Sequence, residues 1–154
     1  MSVLDHVLRC DVERERLLKE QHEIQESHEE DTPYQREENN TNLTRIFERL
    51  THIEAEKCES KAIQILVGLG FSQADLKIPS KNFSGGWRMR LAIAKVIFCE
   101  PEILMLDEPT NHLDLDALIW LEDYIQTLDC TVLIVSHARD FLNATCEEII
   151  YFFN

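Results

Sequence analysis

The residues of this chain best suited to chemistry are two adjacent carboxylates, Asp107 and Glu108. They follow four consecutive apolar residues, 103–106, which is typical of a buried strand in a parallel sheet. At the end of such a strand Asp107 can hold Mg²⁺, and Glu108 can orient or deprotonate the water that attacks a phosphate. An acidic pair of this kind also occurs as a simple helix cap, but its continuation Pro-Thr-Asn-His-Leu-Asp favours nucleotide hydrolysis.

A second candidate is His137, which follows Ser136 and the apolar stretch 131–135. The carboxyl ends of parallel strands meet at one edge of a sheet, and ligands bind at that edge. A histidine placed there can contact a γ-phosphate and the water that attacks it. The alternative interpretation is a histidine that only fixes a turn by hydrogen bonding.

The third candidate is Ser84-Gly85-Gly86, which is predicted to open a helix with Ser84 as its N-cap. Free N–H groups and the positive end of the helix dipole favour an anion there, and glycines allow it to approach closely. A phosphate is therefore the natural ligand, although a plain N-cap after a glycine turn is the alternative. Arg88 and Arg90, further along the helix, are expected to be solvated.

A phosphate-binding loop of the form Gly-x-x-x-x-Gly-Lys-Ser/Thr is absent from the sequence. The chain has four glycines, Gly68, Gly70, Gly85 and Gly86, and none of them precedes a lysine. Without the backbone N–H groups and the lysine of such a loop, the chain is not expected to hold a nucleotide in the usual way. The sequence thus combines hydrolytic residues with a missing nucleotide clamp.

Length and composition predict one domain, because 154 residues with 44% hydrophobic content can bury one modest core. The formal net charge of −14 argues against a surface that binds nucleic acid nonspecifically. No leader is recognised, and no stretch approaches the roughly 18 apolar residues that span a bilayer, so a soluble, untargeted protein is expected. The five scattered cysteines lack metal-ligand spacing and are expected to be reduced, small buried side chains.

The chain is predicted to divide near Gly68 into a helical segment, 1–68, and an α/β segment, 69–154. In the helical segment, apolar residues at three- and four-residue spacing predict two antiparallel helices of about 20 to 25 residues each. Their polar tip is expected at about 28–42, with a turn at Thr32-Pro33. Such a hairpin either packs on its own domain or projects as an arm, and its charged faces favour the arm.

The second segment alternates helices with apolar strands, which is the pattern of a parallel sheet covered by helices. Strands are predicted at 103–106, 131–135 and 148–153, and helices at 84–98, 115–128 and 139–144. The aromatic residues expected in the core are Trp120, Phe141, Phe152 and Phe153. The predicted fold class is therefore α/β.

Four motifs, taken in order, resemble those of an ATP-binding cassette domain over about residues 67–154. The counterparts of the signature, Walker B, D-loop and switch-histidine motifs are Ser84-Gly85-Gly86-Trp87, 103–109, Leu113-Asp114 and Ser136-His137. The strings Leu-Asp-Glu-Pro-Thr-Asn-His-Leu-Asp and Phe-Ser-Gly-Gly-Trp-Arg-Met-Arg-Leu-Ala are similar, more specifically, to the first cassette of eukaryotic ABC-F proteins. These are soluble twin-cassette ATPases linked to ribosomes and translation.

The resemblance implies a partial P-loop-NTPase-like fold in which the helical hairpin is the arm inserted into the helical subdomain. It also implies roles for the site residues. The signature motif would contact the γ-phosphate of ATP held by a different cassette, and the adjacent carboxylates would serve metal and water. Asp114 would lie at the seam between two cassettes, and His137 would be the switch.

The chain departs from the family pattern at three points. The Walker A loop and the Q-loop glutamine are missing, so the chain resembles a cassette cut just after the Q-loop. Trp87 stands where many cassettes carry glutamine, although tryptophan is familiar in the first ABC-F cassette. Ala138 follows the switch histidine where an aspartate is usual, which bears on the tuning of His137 rather than on its presence.

Three classes of function remain open. In the first, the chain belongs to an ATPase that uses ATP and Mg²⁺ in the cytoplasm to drive a ribosome- or translation-linked cycle. Its partners would be a second cassette and, through the arm, a ribosome or translation factor; alone it is expected to be inactive. In the second, it is a non-catalytic truncated fragment that acts at most as a protein-interaction module. Membrane transport is the least favoured class, since no spanning segment exists and no membrane partner is expected.

Overall fold

Two parallel strands form the sheet in a computed structural model that describes residues 1–27 and 33–151. Strand β1 (Ile103–Asp107) pairs with β2 (Thr131–Val135), and Asp107 lies opposite Val135 at the end of the ladder. Both strands consist largely of apolar residues that suit an extended, packed backbone. The predicted parallel pairing is therefore confirmed, and both strands end at the same edge.

The prediction of a third strand at 148–153 is wrong for residues 148–151, which form no strand. Ile150 and Tyr151 are exposed, and this segment forms no ladder with β2. A strand gains stability through the ladder that it forms with a neighbouring strand and through a packed face, and residues 148–151 are not part of the β1–β2 ladder. Residues 152–153, including the two phenylalanines expected in the core, lie outside the described residues.

The expectation that β1 is buried on both faces is also wrong. Side chains alternate between the two faces of a strand, and helices pack on only one face in the described part of the chain. Leu104 and Leu106 are buried on that face. The bare sheet face, as we call the opposite side, carries the exposed side chains of Ile103, Met105, Leu133 and Val135.

The covered face lies against a layer of helices from both halves of the sequence. These helices are α1 (Val3–Leu8), α4 (Ala55–Gly68), α5 (Gly85–Phe98), α6 (Leu115–Gln126) and α7 (Arg139–Thr145). One buried cluster joins them to the sheet, with members such as Val7, Ile65, Ile97, Leu104, Leu121 and Phe141. The helices predicted at 84–98, 115–128 and 139–144 are confirmed to within two residues. Phe141 and Trp120 pack in this core as expected.

The first predicted helix is broken near its start. Helix α1 begins with a capping box in which Ser2 and Asp5 exchange hydrogen bonds of 3.1 Å. The side chain of Asp11 then accepts a hydrogen bond of 2.9 Å from the backbone N–H of Arg14 and starts α2 (Val12–Ser27). This local cap starts a new helix. The regularly spaced apolar residues that predict one long helix are therefore divided between α1 and α2.

Helices α2 and α3 (Pro33–His52) pack together in antiparallel orientation. Arg49 makes two hydrogen bonds to Glu13, at 2.6 and 3.0 Å, and Arg45 lies 3.5 Å from Glu20. Residues 33–42, expected in a polar tip, are helical, because a proline at the first helical position is compatible with a helix. The rest of the predicted tip, 28–32, lies outside the described residues.

None of the helices described in residues 1–27 and 33–151 is long and apolar enough to cross a membrane. A loop between α4 and α5 contains short 3₁₀ turns at Asp75–Lys77 and Ser80–Asn82. It is tied to the N-terminus by an isolated antiparallel bridge between Ser2 and Pro79. This loop leads directly into Ser84 and so sets the entry to α5.

Candidate functional site

The edge at the ends of β1 and β2 brings three predicted residues together. Asp107 is the last residue of β1, and the backbone N–H of Glu108 donates a 2.8 Å hydrogen bond to the carbonyl of Val135. His137 follows two residues later, and its Nε2 lies 3.7 Å from Oε1 of Glu108. The parallel ladder thus places an acid from one strand beside a histidine from the next.

Glu108 has an unusual backbone conformation for a residue with a side chain. Its φ angle is +45°, in the left-handed region, which costs about 1 to 3 kcal/mol for a residue other than glycine. The strand ladder before it and the buried Pro109 after it fix this conformation. The backbone conformation that places the Glu108 carboxylate near His137 at the sheet edge is therefore destabilising by itself.

The turn that carries His137 is fixed through its backbone. Its side chain is 100% exposed, whereas that of Glu108 is 27% exposed. The hydroxyl of Ser136 accepts a 3.1 Å hydrogen bond from the N–H of Ala138, which fixes the turn on both sides of the histidine. Ala138, at the position where an aspartate is usual, offers the imidazole no charged partner of its own, so the ring is free to meet a ligand.

The predicted anion site lies at the start of α5. Ser84 is the N-cap residue, with extended φ and ψ of −65° and 170°, but its hydroxyl makes no capping hydrogen bond. A Cβ added at Gly85 would meet nothing within 4 Å, whereas one at Gly86 would lie 3.2 Å from Cβ of His112. Gly85 therefore faces open space, and Gly86 allows the loop after β1 to approach the helix.

Arg90 is not the solvated residue that the sequence predicts. Only 8% of its side chain is exposed, and its guanidinium donates to the carbonyls of Leu69 and His112 at 3.0 and 2.9 Å. It also makes two hydrogen bonds, of 2.9 and 3.0 Å, to Oδ2 of Asp114. One guanidinium thus connects the end of α4, helix α5 and the loop after β1.

Trp87 completes the packing around Arg90. Its ring lies 4.6 Å from the Arg90 guanidinium carbon and makes edge contacts with Phe71 and tilted contacts with Phe83. Gly70, with a φ of +93°, passes so close to Arg90 that a Cβ there would lie 2.6 Å from Nη1. The tryptophan that replaces the usual glutamine is therefore part of the support for the helix start.

Asp114 has two structural partners. One carboxylate oxygen accepts a 3.0 Å hydrogen bond from the N–H of Ala117 and caps α6, and the other binds Arg90. The Ala117 N–H and the Arg90 guanidinium together hold the pKa of Asp114 below its ordinary value of 3.8. Its position at a seam between two cassettes remains a prediction.

The predicted site residues therefore fall into two sets. Asp107, Glu108 and His137 share the sheet edge, while the start of α5 and Asp114 are joined through Arg90 and His112. In the described part of the chain, no hydrogen bond or ion pair links the first set to the second.

Sequence reasoning missed Arg90 and His112. A signal for Arg90 exists, because it lies three and four residues from Trp87 and Ala94, on the apolar face of α5. His112 has a left-handed φ of +69°, which its position in a run of turn residues does not reveal. Arg90 donates to backbone carbonyls, and His112 supplies one of them. The positions of these carbonyls depend on the tertiary fold.

A Mg²⁺ ion can be accommodated here only with help from a substrate. Among residues 1–27 and 33–151, no group of three or more His, Cys, Asp or Glu side chains is placed to hold a metal. Mg²⁺ commonly binds one or two carboxylates and completes its shell with water and phosphate oxygens. The single exposed carboxylate of Asp107 at the strand end fits that mode of binding.

Comparison with known proteins finds relatives that all belong to the same family. A family model described as ABC transporter matches residues 6–111. "ABC transporter F family member 4" of Dictyostelium discoideum is 45% identical over 152 residues, which cover 96% of this chain and 13% of that protein. "ATP-binding cassette sub-family F member 2" of Bos taurus is 50% identical over 112 residues, or 73% of this chain and 18% of that protein.

A human relative, "ATP-binding cassette sub-family F member 3", is 51% identical over 109 residues, 71% of this chain. These residues make up 15% of the human protein. The chain thus spans less than a fifth of the length of each of these three relatives.

Proposed function

This chain belongs to the ABC transporter family and is of the ABC-F type, and we propose that it carries the hydrolytic edge and the signature helix of an ATPase cassette. It would act within a complete twin-cassette protein. The observation that carries the proposal is the approach of His137 to Glu108, 3.7 Å apart at the carboxyl ends of two parallel strands.

In this proposal Glu108 is the general base. Its carboxylate is mostly buried, lies beside His137, and is set by a left-handed backbone that the sheet enforces. A partly buried carboxylate with a fixed direction can hold one water in line for attack on a phosphate. His137, exposed and without a strong partner, would contact the γ-phosphate and orient the same water.

Asp107 would hold the metal. Its carboxylate is exposed at the strand end, next to the proposed base. When bound, Mg²⁺ would neutralise charge on the phosphate oxygens. The contribution of the chain is to keep this carboxylate at a fixed distance along β1 from Glu108.

The start of α5 would bind the γ-phosphate of a second ATP, held by the opposing cassette. The Ser84 hydroxyl is not used as a cap, and the space around Gly85 is open. Backbone N–H groups at a helix start are suited to bind a phosphate. Asp114 would lie close to this contact, because Arg90 ties it to the same helix.

The bare sheet face supports the view that further cassette elements cover this chain. Parallel sheets are normally covered on both faces, yet Ile103 and Met105 are 63% and 72% exposed here. A segment with the phosphate-binding loop, packed on this face, would bury these side chains and supply the nucleotide clamp. The ATPase activity would then belong to the complex and not to this chain alone.

The purified chain is expected to show no ATP turnover. Turnover should appear when it is co-expressed with a separate cassette segment that carries a Walker A loop. Glu108→Gln should lower that turnover at least about 100-fold, as expected for loss of a general base. Glu102→Gln, immediately before the first residue of β1, is the control and should leave it unchanged. Turnover by the lone chain that Glu108→Gln abolishes would overturn the proposal.

A second function, as a protein-interaction module, is favoured by the α2–α3 pair. This pair would be the arm expected from the sequence, and α3 carries two exposed aromatic side chains, Tyr34 and Phe47, which are 77% and 64% exposed. Exposed aromatic residues on a rigid helix are suited to dock on a partner. In a translation-linked, cytoplasmic role the partner would be a ribosome or translation factor.

Sedimentation with purified ribosomes tests this second function. The intact chain should co-sediment, and a chain in which a short Gly-Ser linker replaces 12–52 should not. Ile119→Ser, which changes an exposed apolar residue on α6, is the control and should retain binding. Equal co-sedimentation of the linker variant would rule out the arm as the contact.

A further inference from the structure

Three of the five cysteines, scattered in the sequence, line one cavity away from the candidate site. The cavity has a volume of about 590 Å³ and lies where the α1–α2 turn, the α3–α4 turn and the end of α5 meet. Its lining includes Cys10, Cys58, Cys99, Lys57, Lys61 and Phe98. Nothing in the proposed ATPase chemistry uses these thiols.

Cys99 contacts Cys10, although the two residues are 89 positions apart in the sequence. The Cys99 thiol lies 3.7 Å from the backbone carbonyl of Cys10, to which it donates. Burial raises the pKa of Cys99, and the neighbouring Cys10 thiol raises it further through its charge and a side-chain hydrogen bond. The Cys10 and Cys58 thiols each donate to the backbone carbonyl four residues earlier, that of His6 at 3.3 Å and that of Glu54 at 3.8 Å.

A metal site does not fit this arrangement. No group of three or more His, Cys, Asp or Glu side chains is placed to hold a metal within 1–27 and 33–151. Two cysteines whose residues lie in contact can instead be oxidised to a disulfide. All five cysteines are free in this structure, so the pair is present in its reduced form.

We propose that Cys10 and Cys99 form an oxidisable dithiol, which a small disulfide oxidant converts into a reversible disulfide between the α1–α2 turn and the end of α5. Cys99 is exposed and Cys10 is half-buried, so Cys99 reacts first. Its thiolate attacks one sulfur of the oxidant and forms a mixed disulfide, and one thiol of the oxidant leaves. The Cys10 thiolate then attacks the Cys99 sulfur and releases the second thiol.

The step is balanced in atoms and electrons. Two protein thiols lose two electrons and two protons, and the oxidant disulfide gains them as it becomes two small thiols. Four carboxylates and two lysines line the cavity, which favours a cationic oxidant over an anionic one. Cystamine, whose two amines are protonated at neutral pH, is therefore the probe of choice.

The Cys10–Cys99 disulfide would connect the end of α5 to the start of α2. Helix α5 starts at the proposed phosphate-binding residues and ends next to Cys99. Cys10 lies directly before α2, the first helix of the α2–α3 pair. A disulfide would hold the base of that pair against α5, and reduction would release it.

The test uses the full chain, incubated with cystamine at about pH 8.5, where a fraction of the Cys99 thiol is ionised although burial raises its pKa. Peptide mapping without reductant should show Cys10 and Cys99 joined in one cross-linked pair and free of cysteamine. Cys10→Ser should leave a cysteamine adduct on Cys99 and no cross-link. Cys58→Ser, the matched control from the same cavity, should form the cross-link as fully as the unchanged chain.

Either of two results would overturn the proposal. One is cysteamine retained separately on Cys10 and Cys99 in the unchanged chain, which would show two independent thiols. The other is loss of the cross-link in Cys58→Ser, which would identify a different pair. Circular dichroism of each serine variant confirms that the comparison is made between folded chains. None of these outcomes depends on ATP hydrolysis.

Discussion

Two pairs, each of a basic side chain and a carboxylate, flank the loop after β1, and they differ in what holds them in place. The Arg90–Asp114 pair is 2.9 Å long, and only 8% of the arginine side chain is exposed. The Glu108–His137 pair is 3.7 Å long, and the histidine side chain is fully exposed. The first pair belongs to the fold, whereas the second is left open to a ligand.

This difference indicates that the two pairs contribute unequally to stability. Arg90 satisfies two carbonyls and a carboxylate, so its removal leaves the start of α5 and the loop without their common support. The contacts of Glu108 and His137 with each other are long and partly solvated, and they contribute little to stability. The Arg90–Asp114 pair thus supports the fold, whereas the Glu108–His137 pair is the one to which the proposed function assigns the reaction.

The largest expected effect comes from Arg90→Met. Loss of the hydrogen bonds to the carbonyls of Leu69 and His112 and of the packed guanidinium should lower the free energy of unfolding by about 2 to 3 kcal/mol. Arg88→Met, two residues away on the exposed side of the same helix, is the control and should change it by less than about 0.5 kcal/mol. Urea denaturation gives both values. Equal effects of the two substitutions would remove the distinction between the pairs.

Arg90→Lys sharpens the same test. A single ammonium group cannot reproduce the guanidinium fork that reaches three acceptors, so stability should fall between the unchanged chain and Arg90→Met. A lysine variant as stable as the original would mean that charge alone, and not the fork geometry, supports the loop.

The next effect concerns the two glycines at the start of α5. Gly86→Ala should be less stable than Gly85→Ala by about 1 kcal/mol, because only the Cβ at position 86 meets His112. Alanine at position 85 has open space and a better helix propensity than glycine. The two variants differ only in position, so each serves as the control for the other in urea denaturation. The reverse order would show that His112 moves aside without cost.

Two strands and three helices of the second segment are predicted well from the sequence because their signals are local, whereas the strand predicted at 148–153 is wrong for residues 148–151. Ser84 before two glycines marks a helix start, and the apolar runs before Asp107 and Ser136 mark strands. The contact between Glu108 and His137 follows from one further rule, that parallel strands end at the same edge. The break at Asp11 is missed, although an aspartate cap is a local signal.

The features that the sequence does not predict depend on distant partners. Arg90 finds the carbonyls of Leu69 and His112, each about 20 residues away, and Cys99 finds Cys10 across 89 positions. The bare sheet face was not predicted for a different reason. Ile103 and Met105 are as apolar as Leu104 and Leu106, so the strand is suited to two covered faces while the described part of the chain covers one.

A smaller effect is expected at acidic pH. The folded pKa of Asp114 lies below the ordinary 3.8, so its contribution to stability is complete above that value and is lost as pH falls through the folded pKa. Asp114→Asn keeps an oxygen for the α6 cap but removes the charge, and should therefore flatten the loss of stability below about pH 4. Asp116→Asn, in the same helical turn, is the control and should leave the acid profile unchanged. Thermal melts between about pH 5 and 2.5 measure the difference.

The smallest effect on stability is expected from His137→Ala, and this result completes the comparison. A fully exposed imidazole 3.7 Å from a carboxylate should contribute less than about 0.5 kcal/mol to the free energy of unfolding. In the complemented ATPase, however, the same substitution should lower turnover by at least about tenfold, since the ring would position water and phosphate. Val67→Ala, an exposed change on α4, should affect neither quantity. A large loss of stability in His137→Ala would mean that this pair, like Arg90–Asp114, is structural, and the division between position and reactivity would fail.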